Sequence, residues 1–125
     1  MPNRTVAIVG ASTDRAKYGN KSVRAHRTQG WDVYPVNPKA TEIEGLKCYP
    51  SLEEVPVKLD RVSLYLPPPL GVRILPSIAA IRPTEFFVNP GAESEELLAE
   101  AERLGLDPIL ACSILDVGLS PEEMD

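Results

Sequence analysis

The feature that most constrains this chain is a regular alternation of short apolar runs, glycine or proline breaks, and helical segments. The apolar runs predict strands at Thr5–Val9, Asp32–Val36, Arg61–Leu66, Glu85–Val88 and Pro108–Cys112. Strand–helix alternation with unbroken apolar strands indicates a parallel sheet that is covered by helices on both faces. We therefore expect an α/β fold, in which residues 1–125 form a single Rossmann-like doubly wound domain with a five-stranded parallel sheet.

The helical segments carry conventional start and stop signals. Helices are predicted at 21–29, where Gly30 ends the helix, at 70–81, and after Ser94, which is a good N-cap. Pro76 lies inside the second helix and is expected to kink or split it. Ser51 begins a capping box ahead of a helix that Pro56 is expected to keep short, and Ser120 begins a second capping box where a further helix is predicted to start. Residues 39–50 are expected to be irregular.

Composition excludes several classes of protein. The longest near-continuous apolar run, Pro108–Leu115, is far short of the ~20 residues that a membrane span needs. No secretory signal is evident, and two cysteines with one histidine are too few for a disulfide framework or a structural zinc site. A reduced, cytoplasmic location is therefore the expectation.

The charge of the chain is unevenly distributed. The formal net charge is -5. Residues 90–125 hold one arginine and ten acids, whereas residues 1–50 hold eight Lys/Arg and four acids. An acidic protein is a poor nucleic-acid binder. Its basic first half can still bind a small polyanion.

Parallel sheets bind ligands beyond the carboxyl ends of their strands, at the point where the strand order reverses. The predicted strand ends are followed by the segments Gly10–Asn20, Asn37–Lys39, Leu66–Pro69, Asn89–Gly91 and Cys112–Ser113. Five of the thirteen prolines fall in these segments, either to make them rigid or simply to end the strands.

The loop after the first strand has the chemistry of a phosphate site. A glycine directly after a strand lets backbone amides approach a phosphate, and the next helix points its positive end there. The hydroxyl groups come from Ser12 and Thr13, and the charge from Arg15, Lys17 and Lys21. The loop lacks the second and third glycines of the dinucleotide fingerprint, and a solvated polar loop is the alternative.

The end of the second strand carries a cation where NAD-binding domains place an acid. Asn37-Pro38-Lys39 stands there. A ribose that carries a phosphate explains the change, which fits the 2′-phosphate of NADP or the 3′-phosphate of coenzyme A. Lys39 as an ordinary surface lysine is the alternative.

Five segments together resemble a known family. They are Val9-Gly10-Ala11-Ser12, Tyr18-Gly19, Val36-Asn37-Pro38, Leu66-Pro67-Pro68 and Pro90-Gly91-Ala92-Glu93-Ser94. In this order they are similar to the small CoA-binding-domain proteins, single-domain relatives of the N-terminal domain of the succinyl-CoA synthetase α subunit. The resemblance runs from about Thr5 to Ser113.

The resemblance implies a coenzyme A site along the strand ends. It places the diphosphate on 10–13 near Arg15 and Lys17, the phosphorylated ribose near Lys39, adenine against 66–68, and the start of pantetheine near 89–91. The expected cofactor-binding residues are Gly10, Ala11, Ser12, Thr13, Arg15, Lys17, Tyr18, Gly19, Asn20, Asn37, Pro38, Lys39, Leu66, Pro67, Pro68, Asn89, Pro90 and Gly91. Two segments depart from the family pattern. Phe87-Val88-Asn89 replaces a Trp-Leu-Gln run, and the first helix has polar His26 and Arg27.

No catalytic constellation is evident. His26 lies mid-helix and is expected to pack or to face solvent, and Cys112 is expected to behave as a small buried residue rather than to react with a CoA thiol. An acidic tail is expected to be solvated: Asp116, Glu122, Glu123 and Asp125. The sequence therefore predicts a non-catalytic cytoplasmic protein that binds coenzyme A or an acyl-CoA, with no nucleic-acid or membrane partner. An NADP-binding fragment or oxidoreductase and a non-catalytic interaction subunit remain alternatives, and a homodimer is left open.

Overall fold

A five-stranded parallel sheet forms the centre of the computed structural model, which describes residues 3–124. In chain order the strands are β1 (Thr5–Val9), β2 (Asp32–Val36), β3 (Glu42–Ile43), β4 (Leu46–Lys47), β5 (Arg61–Leu64), β6 (Glu85–Val88) and β7 (Pro108–Leu110). The sheet order is β2-β1-β5-β6-β7, and β3 and β4 form a separate antiparallel hairpin. The predicted fold class is confirmed.

The strand order reverses between β1 and β5, which are neighbours in the sheet. Val9 pairs with Val36 on one side and with Leu64 on the other. The chain leaves the carboxyl end of β1 at Gly10 and the carboxyl end of β5 at Tyr65. A crevice between these two loops is where a doubly wound sheet binds its ligand.

Helices cover both faces of the sheet. They are α1 (Tyr18–Thr28), α2 (Pro68–Ile81), α3 (Glu95–Arg103) and α4 (Ser113–Asp116), with 3₁₀ turns at Leu52–Glu54 and Pro121–Glu123. Helix α1 contacts α4 on one face, and α2 contacts α3 on the other. Within residues 3–124 no helix is both long enough and apolar enough to cross a membrane.

The two faces of the sheet have different cores. The face under α2 and α3 is apolar, with Val62, Leu64 and Leu75 fully buried. The face under α1 and α4 also buries a charge, because Arg61 is only 1% exposed. Its guanidinium stacks 4.5 Å from the ring centroid of Trp31.

Two carboxylates and one histidine satisfy the buried Arg61. It donates to Glu85 at 3.1 Å and to Asp116 at 2.6 Å. Asp116 was predicted to be part of a solvated tail; its side chain is 46% exposed, as expected, but this ion pair ties it to Arg61. The local sequence does not indicate this ion pair, because Arg61 and Asp116 lie 55 positions apart in the chain. Asp125 lies outside the described residues.

His26 anchors α1 to this buried arginine. Its side chain is fully buried, and its Nε2 lies 3.3 Å from Nη1 of Arg61. Because a guanidinium only donates, Nε2 accepts and Nδ1 donates to the carbonyl of Ser22 at 2.9 Å. Burial lowers the pKa of His26 to about 4. His26 is therefore a neutral packing residue at pH 7, and the surface alternative was wrong.

Several predicted boundaries differ from the structure. Helix α1 begins at Tyr18 rather than Lys21, and β5 and β7 end two residues early, at Leu64 and Leu110. The segment 39–50 was expected to be irregular but contains the β3–β4 hairpin. Its turn consists of Glu44 and Gly45, both at positive φ.

Helix α2 continues through Pro76 instead of splitting. The proline removes only the hydrogen bond to the carbonyl of Val72. Leu75 and Ile78, on either side of the proline, are fully buried and hold both parts of the helix against the sheet.

The two predicted capping boxes form only short 3₁₀ turns. Neither Ser51 nor Ser120 makes a side-chain cap, whereas Ser94 accepts from the amide of Leu97 at 3.0 Å as expected. Proline explains the short turn after Ser51, because Pro56 prevents a longer helix there.

Candidate functional site

The loop after β1 is held tightly against the loop after β5. Gly10 has φ +90°, and a Cβ at this position would lie 3.0 Å from the carbonyl carbon of Tyr65. Only glycine combines this backbone conformation with so close an approach. Gly10 therefore fixes the base of the crevice.

Gly19 brings the start of α1 against the same loop. A Cβ at Gly19 would lie only 2.3 Å from the carbonyl oxygen of Gly10. The two glycines, nine positions apart in the chain, thus lie in contact. Backbone N–H groups in the first turn of a helix have no partner within the helix. The positive end of α1 therefore faces the crevice, and its first turn contains no acidic residue.

The opposite wall of the crevice is the start of α2. Its N-cap and first two residues are Pro67, Pro68 and Pro69. Proline has no backbone N–H, so this helix presents apolar rings where α1 presents amides. Of the two helix starts that border this crevice, α1 therefore offers backbone amides to an anion and α2 does not.

Between these walls lies a cavity of about 540 Å³, which we call the loop cavity. It is lined by Gly10, Ala11, Ser12, Lys17, Tyr18, Gly19, Asn37, Tyr65, Leu66, Pro67, Pro68, Pro90, Gly91 and Ala92. The side chain of Lys17 has no hydrogen bond or ion pair within residues 3–124. The loop cavity therefore combines an amide-rich wall, a free cation and an apolar wall.

A second cavity of about 400 Å³, the apolar cavity, adjoins the first and shares Gly10, Asn37 and Leu66 with it. Its other lining residues are Val9, Val36, Pro38, Lys39, Pro50, Ser51, Leu52, Glu53, Leu70, Arg73, Ile74 and Ser77. The two cavities together form one crevice along the ends of β2, β1 and β5. An elongated ligand with both apolar and anionic parts fits this arrangement.

Asn37 holds the wall that the two cavities share. Its Nδ2 donates to the carbonyl of Ala11 at 2.8 Å, and its Oδ1 accepts from the amide of Lys39 at 2.8 Å. One side-chain amide thus ties the loop after β1 to the loop after β2 and sets the backbone position of Lys39.

Glu53 is the carboxylate of the apolar cavity, and it is already engaged. It accepts a hydrogen bond from the hydroxyl of Ser77, which lowers its pKa. A partly exposed carboxylate of this kind is ionised at neutral pH and is a fixed acceptor in the cavity wall.

Fourteen of the eighteen predicted binding residues line one or both cavities. The structure does not bring Thr13, Arg15, Asn20 and Asn89 to either. Leu66 lines both cavities, whereas Pro67 and Pro68, also expected against adenine, line only the loop cavity.

Arg15 and Asn20 bind the β3–β4 hairpin rather than the crevice. Arg15 forms an ion pair with Glu44, and Asn20 donates to the same carboxylate at 3.1 Å. These bonds lower the pKa of Glu44, the hydrogen bond from Asn20 contributing most. Lys21, expected at the phosphate loop, is buried and donates to the carbonyl of Pro121 at 2.9 Å.

Asn89 is a structural residue beneath the loop cavity. It is 1% exposed, its Nδ2 donates to the hydroxyl of Ser63 at 2.8 Å, and its Oδ1 accepts from the amide of Ser113 at 2.8 Å. The Ser113 hydroxyl also lies 3.0 Å from that of Tyr65, whose pKa burial raises. This cluster fixes the floor of the crevice.

Arg73 and Tyr65 are the chemically important lining residues that sequence reasoning missed. Leu70, Arg73, Ile74 and Ser77 lie three or four positions apart, so they share one face of α2. That spacing was available in the sequence, but only the fold shows that this face borders the crevice.

Comparison with known proteins identifies the family. The family described as "CoA binding domain" matches residues 4–117. The chain belongs to this family. A crevice with amides and a free cation at one end and an apolar slot at the other is consistent with that membership.

Two curated relatives of this CoA-binding domain are much larger proteins. It is 32% identical to "Acetate--CoA ligase [ADP-forming] I" of Archaeoglobus fulgidus, over 82% of this chain but only 16% of that protein. It is 37% identical to "Acetate--CoA ligase [ADP-forming] II subunit alpha" of Pyrococcus furiosus, over 51% of this chain and 14% of that one. The chain thus spans less than a fifth of the length of these curated relatives.

Solved structures include one of similar size and one far larger. A conserved hypothetical protein from Pyrococcus furiosus has a TM-score of 0.82 and 36% identity, covering 90% of this chain and 98% of that one. The dinucleotide-forming acetyl-coenzyme A synthetase 1 of Ca. Korarchaeum cryptofilum, in complex with phosphate and ADP, has a TM-score of 0.73 and 31% identity, covering 86% and 25%. The fold of this CoA-binding domain therefore occurs both in short chains and within large synthetases.

Proposed function

We propose that this protein binds coenzyme A or an acyl-CoA as a carrier, without catalytic residues in this domain. The observation that supports this most is the junction of the two cavities at Gly10, Asn37 and Leu66. A ligand with a diphosphate at the loop cavity and a base in the apolar cavity spans this junction. Family membership favours coenzyme A among such ligands.

Each part of the ligand has a matching wall. The diphosphate lies against the first turn of α1, where backbone amides and Lys17 supply positive charge. Adenine fills the slot between Val36 and Ile74. Pantetheine leaves along Pro90 and Gly91. In this arrangement the ribose phosphate lies near Lys39.

The proposal of a non-catalytic role rests on the residues around the crevice. Among the described residues, the cavity linings contain no histidine and no cysteine. His26 is buried against Arg61, and Cys112 precedes α4 without lining either cavity. An assay for acyl-CoA hydrolysis and for acyl transfer, with the ligand-saturated protein, is expected to give only background rates.

Calorimetric titration of the purified protein with coenzyme A, dephospho-CoA and NADP tests the ligand. We expect binding of coenzyme A that weakens about tenfold or more without the 3′-phosphate, a difference of about 1.4 kcal/mol. Binding of NADP alone would favour the oxidoreductase alternative, and no binding of any of the three would contradict the proposal.

Two variants connect the titration to the crevice. Replacing Gly10 by Ala forces a Cβ against Tyr65, and Lys39→Gln removes a cation from the apolar cavity. Both are expected to weaken coenzyme A binding, and unchanged affinity in both would place the ligand elsewhere.

The interaction-subunit alternative is supported by a relative whose name includes "subunit alpha". A stable complex with a partner protein, whose affinity is the same with and without coenzyme A, would favour that alternative over a carrier. A complex that forms only with the loaded protein would instead agree with a carrier that delivers its ligand.

A further inference from the structure

Two cations line the apolar cavity from different structural elements. Lys39 follows β2, and Arg73 lies on α2. Within residues 3–124, neither side chain forms a hydrogen bond or an ion pair with the protein. The cavity therefore holds two positive groups that the folded chain itself does not neutralise.

This is unusual among the arginines of the protein. Six of them donate to an oxygen or nitrogen acceptor, namely Arg4, Arg15, Arg24, Arg27, Arg61 and Arg103. In the described part of the chain, only Arg73 and Arg82 have no such partner. Arg82 lies just beyond the end of α2 and lines neither cavity, so Arg73 alone combines a free guanidinium with a place in the crevice.

The position of Arg73 along α2 fits the middle of the crevice. At 1.5 Å per residue, it lies about 8 Å along the helix from Pro68, which borders the loop cavity. Leu70 and Ile74, one turn apart on the same face, provide apolar surface on either side of it. A guanidinium at this height faces the part of a ligand between its diphosphate and its base.

The one carboxylate in the same cavity does not compete for Arg73. Glu53 accepts a hydrogen bond from Ser77, one turn further along α2, and forms no ion pair with Arg73. Two cations, Lys39 and Arg73, line the apolar cavity together with one carboxylate, Glu53, so the cavity has an excess of positive charge. A phosphate group matches this excess and the forked geometry of a guanidinium.

We propose that Arg73 determines ligand specificity by binding, together with Lys39, the phosphate on the ribose. This inference rests on the proposed function. It adds Arg73, on the α2 wall, to Lys39, which follows β2. The two cations hold the ribose phosphate from opposite sides of the cavity. The ligand without that phosphate leaves both cations unpaired and binds more weakly.

Titrations of five proteins with coenzyme A and dephospho-CoA test this assignment: wild type, R73Q, R73K, K39Q and R82Q. In R73Q we expect coenzyme A affinity to fall about 5–10-fold, while dephospho-CoA affinity changes less than about twofold. R73K is expected to recover part of the loss, because lysine keeps the charge but not the fork. R82Q removes an unpartnered arginine beyond the end of the same helix and is expected to match wild type.

Dependence on salt gives a second measurement. The preference for coenzyme A over dephospho-CoA should shrink as ionic strength rises, and R73Q should show a weaker dependence than wild type. Equal weakening of both ligands in R73Q would assign Arg73 to packing, and no weakening of either would remove it from the site. Both results overturn the inference while leaving the proposed function standing. A wild type that binds neither ligand would overturn both.

Discussion

The first turns of α1 and α2 border the same cavity and offer a ligand opposite chemistry. Helix α1 begins with Tyr18 and Gly19 and presents backbone amides, whereas α2 begins with prolines and presents none. Helix α1 rests on the polar face of the sheet through His26, and α2 rests on an apolar core through Leu75. The difference shows that two helices of one doubly wound sheet can border the same cavity, one with backbone amides and the other with proline rings.

Acid is expected to have the largest effect, and to act on the α1 wall. The pKa of His26 is lowered by burial from 6.5 in the unfolded chain to about 4. Its contribution to stability is therefore fully present above pH 6.5 and is lost as the pH falls toward 4. The shift corresponds to about 3 kcal/mol of unfolding free energy.

Denaturant unfolding between pH 7 and pH 4, on wild type and on H26Q, measures this loss. The carboxylates titrate in both proteins, so the difference between the two curves isolates the histidine. Amide exchange is expected to accelerate in α1 before α2. Identical pH dependence in both proteins would mean that His26 carries no such shift.

A methyl group at Gly19 should break the α1 wall more than a matched change breaks α2. In G19A the new Cβ meets a backbone oxygen at 2.3 Å, so the helix must move. We expect a loss of about 1–3 kcal/mol in unfolding free energy and at least a tenfold loss in coenzyme A affinity.

The matched control is G71A, on α2. There a Cβ meets the side-chain carbon Cδ1 of Leu97 at 2.9 Å, which can yield, and alanine favours the helix. Coenzyme A affinity should stay within about twofold of wild type, because Gly71 is buried away from both cavities. Equal losses of affinity in the two variants would show that the walls are not functionally different.

The smallest effect is expected from giving α2 the amide that it lacks. In P68A the first residue of α2 regains an N–H at the loop cavity. Coenzyme A affinity should change by less than about twofold if the diphosphate binds at α1 as proposed, and stability should fall by about 0.4–1 kcal/mol as the unfolded chain gains freedom. A several-fold rise in affinity, seen by calorimetry, would put the diphosphate at α2 instead.

The sheet and most of the crevice were predictable because their signals are local. The apolar runs that end before Gly10, before Asn37 and at Leu66 predict three strands. Because the carboxyl ends of parallel strands lie at one edge of the sheet, the segments that follow them are expected to lie together. The hairpin at 42–47 was missed because its strands are two residues long and show no alternation.

The buried charges were not predictable, because their partners lie far apart in the chain. Arg61 and Asp116 are separated by 55 positions, and nothing near either residue indicates the other. The same holds for Asn89, whose position after a strand resembles a ligand contact while its partners, Ser63 and Ser113, lie 26 and 24 positions away. Arg73 was predictable in part. The spacing of residues along α2 shows which face of the helix it lies on, but the sequence does not show that this face borders the crevice.

The three prolines at the start of α2 also affect the entropy of binding. Their φ angles are fixed before any ligand arrives, so the α2 wall has little conformational freedom left to lose. On the opposite side, Ser12 and Lys17 line the loop cavity from a non-helical loop, and each residue immobilised there costs about 1–2 kcal/mol. The backbone part of the entropic cost of binding at the loop cavity therefore falls mainly on the loop before α1, and affinity at this cavity depends on how ordered that loop already is.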